Sequence, residues 1–136
     1  MIRLTDEERR HLLDLAREAR RRAYAPYSNY CVGAALRARS GRLFTGCNVE
    51  NAAYPTSICA ERVAIFKAVS EGEKEFDVLA VVTSNGGSPC GGCRQVLAEF
   101  GLDTVVLIGD GDGRLVQETT VGGLLPGAFT PDSLKT

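Results

Sequence analysis

Phe76-Asp77-Val78-Leu79-Ala80-Val81-Val82-Thr83 is followed by Pro89-Cys90-Gly91-Gly92-Cys93, which opens a segment running to Phe100, and then by Thr104-Val105-Val106-Leu107-Ile108. The outer two pieces read as short apolar strands. The middle one reads as a helix closed by Gly101. A strand, a helix and a strand in that order predict a right-handed parallel crossover and place the chain in the α/β class.

The flanking sequence completes the sheet. Thr5-x-x-Glu8 carries a capping-box signal, and Leu12, Leu15, Ala16, Ala19 and Ala23 recur at helical spacing up to Pro26, predicting a first amphipathic helix. Tyr30 to Arg39 and Arg42 to Asn48 read as strands joined at Ser40-Gly41. Cys59 to Glu71 reads as a second helix, with Thr56 and Ser57 as candidate caps and a stop near Gly72. Asp110-Gly111-Asp112-Gly113 is turn chemistry ahead of a last strand near Arg114 to Thr119. The expected result is a five-stranded mixed sheet with helices on both faces, one domain over residues 1–136. A chain of 136 residues buries about 70% of the surface its unfolded form exposes, so it needs no disulfide framework. No signal-peptide pattern or membrane-length apolar run is present, and free thiols suit a reducing compartment, so the expected location is the cytoplasm.

The middle helix begins with chemistry. A Cys-x-x-Cys pair in a first helical turn puts the sulfurs of Cys90 and Cys93 on one side, able to share a tetrahedral ion. Cys59 opens the other helical segment and supplies a third thiol, and Glu61 follows two residues later as a proton carrier. Taken alone, Cys-x-x-Cys is also the pattern of a structural zinc half-site or a redox pair. A redox pair has no use for a third cysteine or for Cys-x-Glu. A structural zinc wants four protein ligands, and the remaining thiols, Cys31 and Cys47, lie in strand-like segments where they read as buried apolar groups. Three ligands with the fourth position left to water describe a catalytic zinc, one per subunit, and a hydrolytic enzyme.

Charge narrows the substrate. The balance is 16 basic against 17 acidic side chains, and the cluster Arg17, Arg20, Arg21 and Arg22 shares its helix with acids, so a polynucleotide partner is not expected. His11 reads as a solvated helix residue.

The zinc motifs resemble those of the zinc-dependent nucleobase deaminases in their all-cysteine form. Together with Tyr24-Ala25-Pro26-Tyr27-Ser28, Val32-Gly33-Ala34-Ala35-Leu36, Gly46-Cys47-Asn48-Val49-Glu50-Asn51-Ala52-Ala53-Tyr54, Cys59-Ala60-Glu61-Arg62 and Leu124-Leu125-Pro126-Gly127-Ala128-Phe129, they resemble the small homotetrameric cytidine deaminases, from about Leu12 to Phe129. The resemblance implies the three-layer deaminase-like fold and hydrolysis of cytidine and deoxycytidine to uridine and deoxyuridine plus ammonia, in pyrimidine salvage. It makes Cys59, Cys90 and Cys93 the zinc ligands. Glu61 would carry the attacking water's proton first to N3 of the base and then to the departing amino group.

In the same resemblance Asn48 and Glu50 hold ribose hydroxyls, the Ala60 N–H meets the base carbonyl, and Tyr30 packs on the base. Tyr54 and Phe129 reach a neighbouring subunit's pocket in a homotetramer, and Arg62 hydrogen-bonds the ligand sulfurs. Tyr30 departs from the phenylalanine of many members, and its hydroxyl needs a partner. Two rivals stand beside this reading. One is a deaminase of a cytosine-bearing antibiotic such as blasticidin S, against which Asn48-x-Glu50-Asn51 argues for ribose. The other is a zinc-stabilised binding module with Cys31 or Cys47 as fourth ligand.

Overall fold

The computed structural model describes residues 2–135. Its elements are α1 (Asp6–Arg20), β1 (Gly33–Ala38), β2 (Leu43–Cys47), α2 (Ala60–Ser70), β3 (Phe76–Val82), α3 (Gly91–Glu99), β4 (Val105–Gly109), β5 (Leu115–Thr120) and α4 (Val121–Leu124). The strands form one sheet in the order β2-β1-β3-β4-β5. β1 runs antiparallel to β2 and β3, β3 and β4 are parallel, and β5 returns antiparallel to β4.

Strand alternation explains the layers. Ala35, Val78, Ala80, Val82, Val105 and Leu107 point to one side and pack with Leu12, Leu13 and Ala16 of α1. Their neighbours Ala34, Leu36, Leu79, Val81, Val106 and Ile108 point to the other side, against Ala64, Ile65 and Ala68 of α2 and Leu97 of α3. The central strands are therefore apolar on both faces, as a covered sheet requires. Small residues set the spacing: a Cβ on Gly33 would lie 1.9 Å from the Ala16 carbonyl oxygen, and one on Gly46 would lie 2.5 Å from that of Ala60. α1 and the first turn of α2 can approach the sheet so closely only over glycine.

The five-stranded mixed sheet is as expected, with boundaries differing by a residue or a few. α1 ends at Arg20, before the predicted stop at Pro26, because Tyr24 leaves the helix to pair with the segment beside β2. The Tyr24 N–H donates to the Asn48 carbonyl (2.9 Å), and the Glu50 N–H donates to that of Tyr24 (2.8 Å). β1 begins at Gly33, three residues later than read, since Tyr30 and Val32 are held by a side chain instead of a strand ladder. Neither Thr56 nor Ser57 caps α2; the cap position is Cys59. Thr56 Oγ1 donates to the Ala53 carbonyl and Ser57 Oγ accepts from the Asn51 N–H, both within the preceding loop. The short α4 was not foreseen; its four residues are capped by the Thr120 hydroxyl.

The capping box at α1 is complete. Thr5 Oγ1 accepts from the Glu8 N–H (3.1 Å), and Glu8 Oε1 accepts from the Thr5 N–H (2.9 Å) while Oε2 takes Arg37 Nη1 (2.7 Å). The Thr5 N–H, then Arg37, holds the Glu8 carboxyl below its ordinary value of 4.5. A depressed folded value means that this contribution to stability is present above about 4.5 and is lost as pH falls through the folded value. Thr5→Ala is expected to cost about 1 kcal/mol in chemical denaturation at neutral pH. Glu8→Gln is expected to lower the melting temperature at pH 7 and to shrink the wild type's loss of stability on acidification.

Candidate active site and metal centre

Both helices that face the cleft start on a cysteine. Cys59 is the N-cap of α2 and Cys90 that of α3, and neither thiol caps its own helix, so both sulfurs are left free. Cys93 lies one turn further into α3 and is fully buried. The Sγ atoms of Cys59 and Cys90 are 3.9 Å apart and those of Cys90 and Cys93 3.6 Å, with all three within 4.8 Å of one another. Sulfurs at two corners of a tetrahedron around zinc, with bonds of about 2.3 Å, stand roughly 3.8 Å apart. The observed triangle fits that ion, and both helix N-termini direct their positive ends at the anionic ligand form. Among the described residues, no other cysteine, histidine or carboxylate joins the cluster. The thiols of Cys31 and Cys47 are half-buried rather than enclosed, and neither completes a four-sulfur site.

Arg62 lies next to the triangle. Its Nη2 donates to Cys59 Sγ at 3.7 Å and Cys90 Sγ at 3.8 Å, while its buried Nε has no partner. A hydrogen bond from Cys93 and the Arg62 charge bring the Cys59 thiol down to about 6, against burial, and the same bond with burial pushes Cys93 up.

That cleft has a volume of about 320 Å³ and is lined by Tyr30, Asn48, Glu50, Ala60, Glu61 and Cys90, among others. Glu61 is the only buried carboxylate among the described residues, 4% exposed, and burial drives its pKa above the ordinary 4.5. Ala60 opens α2 and is fully buried at the cleft floor. Asn48 and Glu50 line the wall, but each also does local work. Asn48 Nδ2 donates to the Tyr30 carbonyl (2.7 Å) and its Oδ1 accepts from the Val32 N–H (2.9 Å), leaving one N–H and one lone pair for a ligand. Glu50 Oε1 accepts from the backbone N–H groups of Tyr27 and Ser28, and Oε2 accepts from the Ser28 hydroxyl (2.5 Å). These bonds lower the Glu50 carboxyl, the Ser28 hydroxyl most.

Two predicted residues lie outside this cleft. Tyr54 is 68% exposed in an adjoining hollow, edge-on to Tyr27 with centroids 5.7 Å apart, and Phe129 is 57% exposed. Other residues escaped sequence reading. Arg94 donates to the Pro89 carbonyl (2.7 Å), the Ser88 hydroxyl (2.9 Å) and the Leu124 carbonyl (2.8 Å), clamping the loop that delivers Cys90. Gln95 donates to the Phe129 carbonyl (2.8 Å) and ties the C-terminal segment to α3. Thr83, Gly87 and Ser88 also line the cleft. Their signal was position: a polar, glycine-rich loop after β3 lies where α/β sheets bind ligands.

The family model for the cytidine and deoxycytidylate deaminase zinc-binding region matches residues 6–108. A cytidine deaminase of Sporosarcina psychrophila is 52% identical over 128 residues, covering 90% of this chain and 92% of that protein. The crystal structure of a cytidine deaminase from Burkholderia pseudomallei superposes with a TM-score of 0.83 at 43% identity, over 93% of this chain and all of that one. A blasticidin-S deaminase of Bacillus cereus is more distant, at 35% over 109 residues, or 73% of this chain and 76% of that protein.

Proposed function

The chain belongs to the cytidine and deoxycytidylate deaminase family, and from that premise we propose that it hydrolyses cytidine and deoxycytidine to uridine and deoxyuridine plus ammonia, in pyrimidine salvage. The observation that carries this reading is a three-sulfur triangle of zinc dimensions beside a buried carboxylate, both at the floor of a nucleoside-sized cleft.

Cys59, Cys90 and Cys93 would hold the zinc. When bound, it supplies a Lewis acid that lets solvent give up a proton near neutral pH. Glu61 accepts that proton and returns it to N3 of the base as the solvent oxygen adds to C4. It then carries the remaining proton of the added C4 hydroxyl to the amino group; the C4–N bond breaks, the hydroxyl oxygen becomes the C4 carbonyl, and ammonia leaves. Burial moves Glu61 toward the operating pH, as an acid that must also serve as a base requires, though the metal's charge works against that rise. The Ala60 N–H, at the head of α2, is suited to the base carbonyl, and Tyr30 to the face of the ring. The remaining hydrogen-bonding capacity of Asn48 and Glu50 supports ribose at the wall.

Three thiolates on a dication leave a net negative centre, and Arg62 offsets part of it through the sulfurs. Arg62→Ala is expected to weaken zinc binding about 10- to 100-fold in chelator competition and to move the pH profile of turnover. Unchanged values for both would remove Arg62 from the mechanism.

Residues 1–136 act as one deaminase unit in this reading. Tyr54 and Phe129, exposed and outside their own cleft, support a homotetramer in which they reach a neighbour's site. Five free thiols support a cytoplasmic location; no helix among the described residues is long and apolar enough to cross a membrane. An ultraviolet assay with cytidine, deoxycytidine, adenosine and blasticidin S, with and without chelator, tests the proposal. Chelator-sensitive loss of cytidine absorbance is expected, and turnover of blasticidin S alone would reject it.

A further inference from the structure

The Tyr30 hydroxyl, the group that sets this cleft wall apart, has a partner. It donates to Asn85 Oδ1 at 2.7 Å, across 55 residues of sequence. The same oxygen also accepts from the Thr83 hydroxyl at 3.3 Å, and Thr83 Oγ1 in turn accepts from the Gly87 N–H at 2.7 Å. One network therefore joins the segment before β1 to the turn after β3. The fit over that turn is close: a Cβ on Gly87 would come within 2.5 Å of the Tyr30 hydroxyl oxygen.

Tyr30, Thr83 and Gly87 line the cleft, whereas Asn85 is exposed and is not among the lining residues. Its one side-chain carbonyl oxygen holds the hydroxyls of a residue on each side. From this geometry we infer that Asn85 is a positioning residue: it latches the Tyr30 ring to the Ser84–Ser88 turn, so that both walls are set before the nucleoside arrives. Without the latch, substrate must order the ring and the turn on binding. That penalty falls on the ground state and the transition state alike, and so appears mainly in KM.

The inference rests on the nucleoside reading for its kinetic part, and the test separates the two. Amide hydrogen exchange in Tyr30→Phe, Asn85→Ala and the double variant needs no turnover. The Gly87 amide is expected to exchange about two- to fivefold faster in each single variant, with no further gain in the double one. With cytidine, kcat/KM is expected to fall by a similar factor, carried mainly by KM, again without additivity. Tyr30→Phe keeps the ring and the packing, so the fold survives the substitution. Unchanged exchange at Gly87 overturns the latch, as do additive effects of the two substitutions or a loss carried by kcat. If wild-type protein turns over no cytidine, the nucleoside reading fails, and the exchange data still decide the latch.

Discussion

Glu61→Gln is expected to lower kcat for cytidine about 10²- to 10⁴-fold while the protein keeps one zinc per chain. The amide matches the carboxylate in size and sits in the same buried position at the head of α2, so the fold has no reason to change. Glu61 stands outside the cluster of three sulfurs, so the ligand set is also untouched. The variant loses only the ability to take up and release a proton at the floor of the cleft. Burial makes that loss severe, because bulk water has little access to serve in its place. Metal analysis beside steady-state kinetics checks both halves of the prediction. Near-normal turnover would assign the proton transfers to another group, and loss of zinc would make Glu61 a structural support for the site.

Cys93→Ala is expected to abolish stable zinc binding, and activity with it. Cys93 is the fully buried corner of the triangle, and its removal leaves two sulfurs and a methyl-lined gap. Zinc held by protein ligands is bound with about 10–16 kcal/mol in small structural sites. Losing one of three ligands on that scale removes ~3 kcal/mol or more, which is on the order of a hundredfold or more in affinity. The wild type stripped by a strong chelator should behave the same way but recover on addition of zinc, which the variant should not do at equal metal concentration. A Cys93→Ala protein that titrates with one zinc at wild-type affinity would mean that the metal sits elsewhere.

These two predictions draw on residues that sequence alone picked out, and the reason is local. Cys-x-x-Cys at a helix start and Cys-x-Glu at another are spacings of a few residues, and helical geometry converts such spacings directly into directions. The capping box of α1 is legible for the same reason, since Thr5 and Glu8 need only each other. Strand identities follow from short apolar runs, so all five were found to within a few residues at their ends.

Errors appear wherever a distant group competes for the backbone. Nothing near Ala23 announces that Tyr24 will leave α1 to bond Asn48 and Glu50. Nor does the sequence show that half of the Asn48 amide's hydrogen-bonding capacity goes to the backbone of Tyr30 and Val32, some 18 residues away at most. Arg94 shows no signal beyond its place after Cys93, because its role depends on three acceptors that only folding collects.

The amino-acid order by itself determined the main element types, the mixed α/β sheet and the candidate metal-binding and proton-carrying side chains, since each motif is written in neighbours within a turn or a strand. Tertiary structure alone decided that both cysteine-headed helices converge on one point, that Tyr30 meets Asn85, and that Tyr54 and Phe129 lie exposed outside their own cleft. Those outcomes depend on how the sheet orders its strands as β2-β1-β3-β4-β5 and how closely Gly33 and Gly46 admit the helices. Long-range packing sets such distances, and no short stretch of residues contains them.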